Sequence, residues 1–270
     1  IGDQPQGTKP FDGLIDEVRF YNRPLTTAQI QTDMVTPVGT PDLEIKMEMG
    51  EIVVNHNWQW VAFEQPFVDA VVVAKPLSMN GSDPAVVRVD GIDANGFWIR
   101  VQEWDYLDGS HVSEAVSYLV MESGRNQLAD GSWVEAGRLQ TGATNAFDRT
   151  AFVAPFAVTP VVLTAVTSVN EGDAVTTRLR NIDPDGFQFG LREQEANVQS
   201  HAVETIDYIA WEPSSGVIGG LRYEVDHTLD KVTHKAHTIV YKSAFDLPPV
   251  FLADMQSTDG GDTANLRWQN

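Results

Sequence analysis

The 270-residue chain has no cysteine. That excludes a disulfide framework and a thiolate nucleophile, and leaves the redox compartment open. No stretch approaches the roughly 20 consecutive apolar residues of a membrane-spanning helix, so insertion into a membrane is not expected. Cations are scarce: 18 Lys and Arg stand against 38 Asp and Glu, a formal net charge of −20. No basic cluster offsets this, so a nucleic acid would be repelled and is excluded as a partner. The acidity reads as a surface that stays soluble in salty water. Charged residues make up 21% of the chain without a long run of one sign, and 42% is apolar, enough to build a core. Disorder is therefore not expected. Catalytic signatures are also missing. There is no G-x-S-x-G, H-E-x-x-H, P-loop or C-x-x-C. The many acids would permit a glycosidase pair, but none is singled out. The chain starts at Ile1 with no signal-peptide pattern and reads as a mature or excised segment.

In place of motifs there is a repeat. Residues 63–122 (FEQPFVDAVVVAKPLSMNGSDPAVVRVDGIDANGFW…YLVME) return at 152–212 as FVAPFAVTPVVLTAVTSVNEGDAVTTRLRNIDPDGFQ…YIAWE. A third copy starts at Tyr241 (YKSAFDLPPVFLADMQSTDGGDTANLRWQN). Phe63, Phe152 and Tyr241 head the copies, and Arg88, Arg178 and Arg267 hold one position in each. A period of about 90 residues is too long for a solenoid and suits a small domain.

Within each copy, short apolar runs alternate with turn chemistry. Residues 70–74 and 160–165 are Val-rich, the pattern of strands buried on both faces. Asp93-Ala94-Asn95-Gly96 and Asp183-Pro184-Asp185-Gly186 read as hairpin turns, with Asn-Gly and Asp-Gly supplying a positive φ. Residues 112–121 and 202–211 read as long closing strands. The expectation is an all-β fold of tandem small antiparallel β-sandwiches. The expected domains are a terminal segment 1–36, a Pro/Gly linker 37–46, repeat 1 at 47–124, repeat 2 at 133–216 and an incomplete repeat 3 at 222–270. The polar, Gly-containing residues 123–132 read as a further linker.

Residues 9–34 read KPFDGLIDEVRFYNRPLTTAQIQTDM, a strand over 14–21, a turn at Asn22-Arg23-Pro24 and a short helix capped by Thr26. This phrase resembles the carboxyl end of a laminin-G-like, concanavalin-type jelly roll. The repeats resemble H-type lectin domains, the family of the snail agglutinins. The residues carrying that likeness are Phe63, Pro66, Phe67, Val71-Val72-Val73, Arg88, Gly96-Phe97, Trp104, Tyr118 and Glu122. Repeat 2 keeps Pro155, Phe156, Val161-Val162-Leu163, Arg178, Gly186-Phe187, Tyr208 and Glu212.

The resemblance implies a six-stranded sandwich that assembles as a trimer and binds galactose-type sugars between protomers. The family's binding arginine falls on Arg88, and its Trp-His pair falls on Trp104 and Asp105, an acid replacing the histidine. In repeat 2 the same positions are Arg178, Gln194 and Glu195, without the aromatic. An arginine, an indole face and a carboxylate together suit a pyranose. Trp58, beside the loop Asn55-His56-Asn57, is a candidate stacking platform, and Trp60 and Trp98 could extend the face. His111 and Glu114 recur as His201 and Glu204; three apart on a strand, they would face opposite ways, so no metal is expected there. The acidic loops 80–83, 170–173 and 259–262 leave Ca²⁺ as the one conceivable cofactor.

These features point to a non-catalytic carbohydrate-binding or adhesive segment of a larger secreted or cell-surface protein of bacterial type. It could also be an accessory region of a polysaccharide-degrading enzyme. The expected partner is a glycan or polysaccharide, with self-association possible through the incomplete end modules. The rival reading is a structural stalk or filament making protein–protein contacts. Three repeats in one chain suggest packing about a pseudo-threefold axis; a linear string is the alternative.

Overall fold

A computed structural model describes residues 45–194, 200–218, 220–242, 244–245 and 247–269, together with Thr27, Ile30 and Met34. The chain divides into two compact units, Ile1–Asp42 and Leu43–Asn270, and the division falls inside the expected linker. In the first unit Thr27, Ile30 and Met34 are helical and exposed. The jelly-roll strand expected at 14–21 lies outside the described residues.

The second unit is all-β. Repeat 1 folds as a sandwich of two sheets. One holds β1 (Met47–Val54), β6 (Glu114–Glu122) and β3 (Ala70–Ser78), in the order β1-β6-β3. The other is β2 (Gln59–Ala62), β5 (Gly96–Glu103) and β4 (Ala85–Asp90), in the order β2-β5-β4. Repeat 2 copies this. β8 (Trp133–Thr141), β13 (Glu204–Trp211) and β10 (Val161–Val166) form one sheet, and β9 (Asp148–Ala151), β12 (Gly186–Glu193) and β11 (Val175–Asp183) the other. Residues 123–132 are not a linker. They form β7 (Gly124–Gln127), which pairs antiparallel with β8, and the turn between the two.

Alternation explains the cores. On β5, Phe97, Ile99 and Val101 point inward, while Trp98, Arg100 and Gln102 point out. Phe63, Phe67, Phe97 and Tyr118 form an aromatic ladder with centroids 5.0–5.9 Å apart. Phe152, Phe156, Phe187 and Tyr208 repeat it in the second sandwich.

The hairpin glycines are needed for a different reason from the one expected. Neither Gly96 nor Gly186 has positive φ. The left-handed residues are Gly91 (φ 58°) and Asn181 (φ 49°), on the approach to each turn. The turns are held by Asp93 and Asp183, whose Oδ1 atoms accept amides two and three residues on. Gly96 and Gly186 are required by close approach instead: a Cβ would stand 2.2 Å from Val61 O and 2.1 Å from Thr150 O. Gly186→Ala is therefore expected to destabilise the chain by about 1–3 kcal/mol in denaturant unfolding, the range for overpacking. Gly172→Ala, with open space at its Cβ, is the neutral control.

The third repeat adds β14 (Ser214–Ile218), paired with β15 (Leu221–Val225), and β16 (Arg267–Trp268), parallel to β3. All three repeats share a core in which Val71, Val73 and Leu119 meet Val134, Ile209 and Trp211, with Tyr223, Val225 and Leu252 against them. The seams use equivalent atoms. The Val72 amide donates to Asp207 Oδ2 at 2.8 Å, and the Phe251 amide to Ser117 Oγ at 3.3 Å. At the centre Lys75 pairs with Asp254 at 2.7 Å beside a cavity of about 40 Å³ lined by all three repeats. Burial pulls the Lys75 ammonium below its ordinary pKa, against the opposing pull of Asp254. The repeats thus pack around a common centre and do not form a string.

Candidate functional site

Arg88, Trp104 and Asp105 do not form an exposed cleft. Arg88 sits at the outer side of β4 and is fully buried against repeat 2. Its Nη1 donates to Asp173 O at 2.9 Å and its Nη2 to Ser168 O at 3.1 Å, with Glu204 Oε1 at 3.4 Å. Trp104 is buried too, packed with Val86 and Leu107 against Ala174 of repeat 2. Asp105 alone is exposed. Its carboxyl is held above the usual range by desolvation and by Asp173. The guanidinium and the indole are consumed by the seam, which leaves a sugar no face to stack on.

Arg178 is likewise buried, its Nε 3.4 Å from Thr258 Oγ1 of repeat 3. Gln194 is half-buried, with Oε1 unpartnered. Glu195 lies outside the described residues.

Two of the three loops expected to suit Ca²⁺, at 80–83 and 170–173, serve the same seam. Ser78 O, Gly81 O and Asp83 O accept from Arg267, at 2.6, 3.1 and 3.3 Å. Ser168 O and Asp173 O accept from Arg88. In these two loops guanidinium groups donate to backbone carbonyls. Among the described residues no cluster of three or more His, Asp or Glu is placed to hold a metal.

The first two of these loops are each braced by a buried Glu-His-Glu set. Glu204 accepts from Ser168 Oγ, from the amides of Asn170 and Glu171 and from Arg88, and its Oε1 lies 3.1 Å from His201 Nε2. His201 Nδ1 is 2.7 Å from Glu193. Glu114, His111 and Glu103 repeat this in the first sandwich, with Arg267 2.5 Å from Glu114. The expectation that His111 and Glu114 face opposite ways is wrong because His111 precedes β6, in a loop that folds back on the strand's first residue. The period-two rule holds only inside a strand.

The solvent-facing site is the β2 side of the outer face of the β2-β5-β4 sheet, the β4 side being covered at Arg88 by repeat 2. Trp60 lies opposite Trp98 in register, and the rings meet edge-on at 5.4 Å. Trp98 is 43% exposed and Trp58, just before β2, 36%. The Arg100 guanidinium sits 4.8 Å over the Trp58 ring. Asp90 is opposite Trp98 on β4. Gly91 lets the Trp98 indole approach the backbone, since a Cβ there would meet Trp98 Cδ1 at 3.1 Å. Arg100 Nε is buried without a partner, and burial lowers the pKa of that guanidinium. Gln102 ties the far end of the face to Gly172 O at 2.7 Å.

Three indoles, a guanidinium and a carboxylate on one sheet face can stack on C–H faces and hydrogen-bond hydroxyls. In repeat 2 the same surface carries Phe147 between Arg180 and Arg192, at 3.9 and 4.7 Å, with Gln188 at the Trp98 position. Of the expected site residues, Trp58 belongs to this face. Arg100 was missed, although the strand phrase Trp98-Ile99-Arg100-Val101-Gln102 alternates and so carries the signal.

Residues 1–31 match the family model of the Concanavalin A-like lectin/glucanases superfamily. Over 231 residues the chain is 29% identical to Halomucin of Haloquadratum walsbyi (strain DSM 16790 / HBSQ001), which covers 79% of this chain. The chain spans 2% of the length of that relative. No solved structure matches the chain. It is thus similar to a lectin/glucanase superfamily at its N-terminus and, over most of its length, to a short stretch of a far longer halomucin.

Proposed function

We propose that the chain is a non-catalytic, adhesive carbohydrate-binding segment of an extracellular protein, and that repeat 1 engages glycan through Trp58, Trp60, Trp98 and Arg100. The observation that carries this is the exposed indole face with a guanidinium stacked on it. The lectin-superfamily match and the likeness to a halomucin support an extracellular, sugar-associated role. In this reading the repeats are H-type-lectin-like modules whose inherited inter-protomer site has become a covalent seam. Three indoles spread over one sheet face suit an extended polysaccharide. The acidity keeps so large an exposed surface soluble, and among the described residues no helix is long and apolar enough to cross a membrane.

A glycan array of the intact chain tests it. Trp98→Ala is expected to lower affinity for a retained polysaccharide about tenfold, equivalent to ~1.4 kcal/mol, with unfolding unchanged because the ring is partly in solvent. Absence of any retained glycan, or equal retention by Trp98→Ala and Arg100→Ala, would overturn the proposal. The structural-stalk reading, supported by the arginines locking each repeat to the next, would then stand.

A further inference from the structure

The outer face of the second sandwich reverses the charge of the first. Strand register aligns the two faces. Asp90 lies opposite Trp98, and Arg180 opposite Gln188. Gln102 lies opposite Val86, and Arg192 opposite Thr176. Trp60 lies opposite Trp98, and Arg149 opposite Gln188. Three positions that are Asp, Gln and Trp in repeat 1 are therefore Arg in repeat 2, while Arg100 gives way to Gly190.

Gly190 is where the loop before β9 closes on the sheet. A Cβ there would stand 2.6 Å from Ala146 O, and the Leu191 amide donates to Ala143 O at 2.8 Å. The closed loop delivers Phe147 to the arginines, with Arg180 3.9 Å and Arg192 4.7 Å from its ring centroid. All three side chains are half-buried and so still reach solvent.

Two guanidinium groups held at one ring repel each other. Burial lowers the Arg192 pKa, and Arg178 and Arg180 lower it further. No acid relieves this. Arg180 Nε donates to Gln188 Oε1 at 2.8 Å, and Arg192 Nη1 donates to Leu191 O at 2.7 Å and to Thr144 O, all neutral acceptors. Among the described residues neither arginine is in an ion pair. The acids of the adjoining strands are engaged elsewhere: Asp183 by Arg149, Asp148 by Thr141 Oγ1 and Glu193 by His201. With 38 Asp and Glu against 18 Lys and Arg, the uncompensated pair does not reflect a shortage of acids. Guanidinium forks whose stems are already fixed are preorganised for an oxyanion, which they bind by paired, charge-assisted hydrogen bonds.

We infer that Arg180, Arg192 and Phe147 form an anion-binding site on repeat 2, and that its ligand is the carboxylate or sulfate of an acidic polysaccharide. The arginines call for the anion; the choice of a polysaccharide over an acidic peptide rests on the reading of repeat 1 as glycan-binding. The two faces then divide the work, the indoles of repeat 1 taking sugar rings and the arginines of repeat 2 taking charged substituents.

The test is calorimetric titration of the whole chain with polygalacturonate, dextran sulfate, neutral dextran and polyaspartate. Binding of polygalacturonate or dextran sulfate in preference to dextran is expected, and which of the two binds tells carboxylate from sulfate. Arg180→Gln and Arg192→Gln are each expected to lower that affinity about tenfold. Arg222→Gln, which removes an exposed arginine of β15, should leave it unchanged. Arg180→Gln keeps the tie of Arg192 to Thr144 O, so it reads the site even if Arg192→Gln misfolds. A loss with Arg180→Gln and none with Trp98→Ala upholds this site without the indole face; the reverse upholds the indole face without this site. No preference for a polyanion, unchanged affinity in Arg180→Gln, or equal binding of polyaspartate would each overturn the inference.

Discussion

Replacing Arg88 with leucine is expected to lower the unfolding free energy by about 3–5 kcal/mol. The guanidinium is fully buried and closes three contacts in repeat 2. Burial lowers its pKa and Glu204 opposes that pull, so the cation is stable there only because an acid and two carbonyls receive it. Its removal takes the guanidinium from the buried Glu204 carboxylate and its two donors from the Ser168 and Asp173 carbonyls at once. Arg149→Ala is the matched control. Arg149 also pairs with an acid, Asp183 at 3.1 Å, but both are 45% exposed, and its loss should change stability by no more than about 1 kcal/mol. Denaturant unfolding of the two variants checks this. Equal small losses would show that Arg88 is not structural, and would reopen its reading as a sugar ligand.

The second large effect is a pH dependence centred on Glu204. Burial would raise its pKa, but hydrogen bonds from His201, Ser168 and the Asn170 amide, with Arg88, hold it below the usual 4.5. Burial would lower the His201 pKa, but bonds to Glu204 and Glu193 hold it above 6.5. The stabilisation from Glu204 is present above its unfolded value of 4.5 and is lost as pH falls through the lower folded value. The stabilisation from His201 is complete below 6.5 and is lost as pH rises through the higher folded value. Glu193, raised by burial, opposes folding once it must ionise. The set therefore stabilises most between about pH 4.5 and 6.5. Glu204→Gln is expected to flatten both flanks of the stability–pH curve and to lower its maximum by about 3 kcal/mol, as when one partner of a buried pair is removed. A parallel shift with the flanks kept would show that other groups set the profile.

The repeat, the all-β class and the sandwich cores were legible in the sequence. Local facts determine them: the return of Phe63 as Phe152 and Tyr241, Val-rich runs, and the alternation of Phe97, Ile99 and Val101 with polar neighbours. Partnership was not legible. Arg88 recurs as Arg178 and Arg267, yet only the packing shows each arginine reaching into the next repeat, because contacts between residues 80 to 190 positions apart leave no local pattern. The sequence marked Trp104 and Trp98 alike as aromatic. Tertiary structure buried Trp104 against Ala174 and left Trp98 half in solvent, since β4 and the loop after β5 face a neighbouring repeat while β2 and the start of β5 do not. Composition and periodicity therefore determined which strands form. The burial that decides between a seam residue and a binding residue arose only when the three repeats closed on one another.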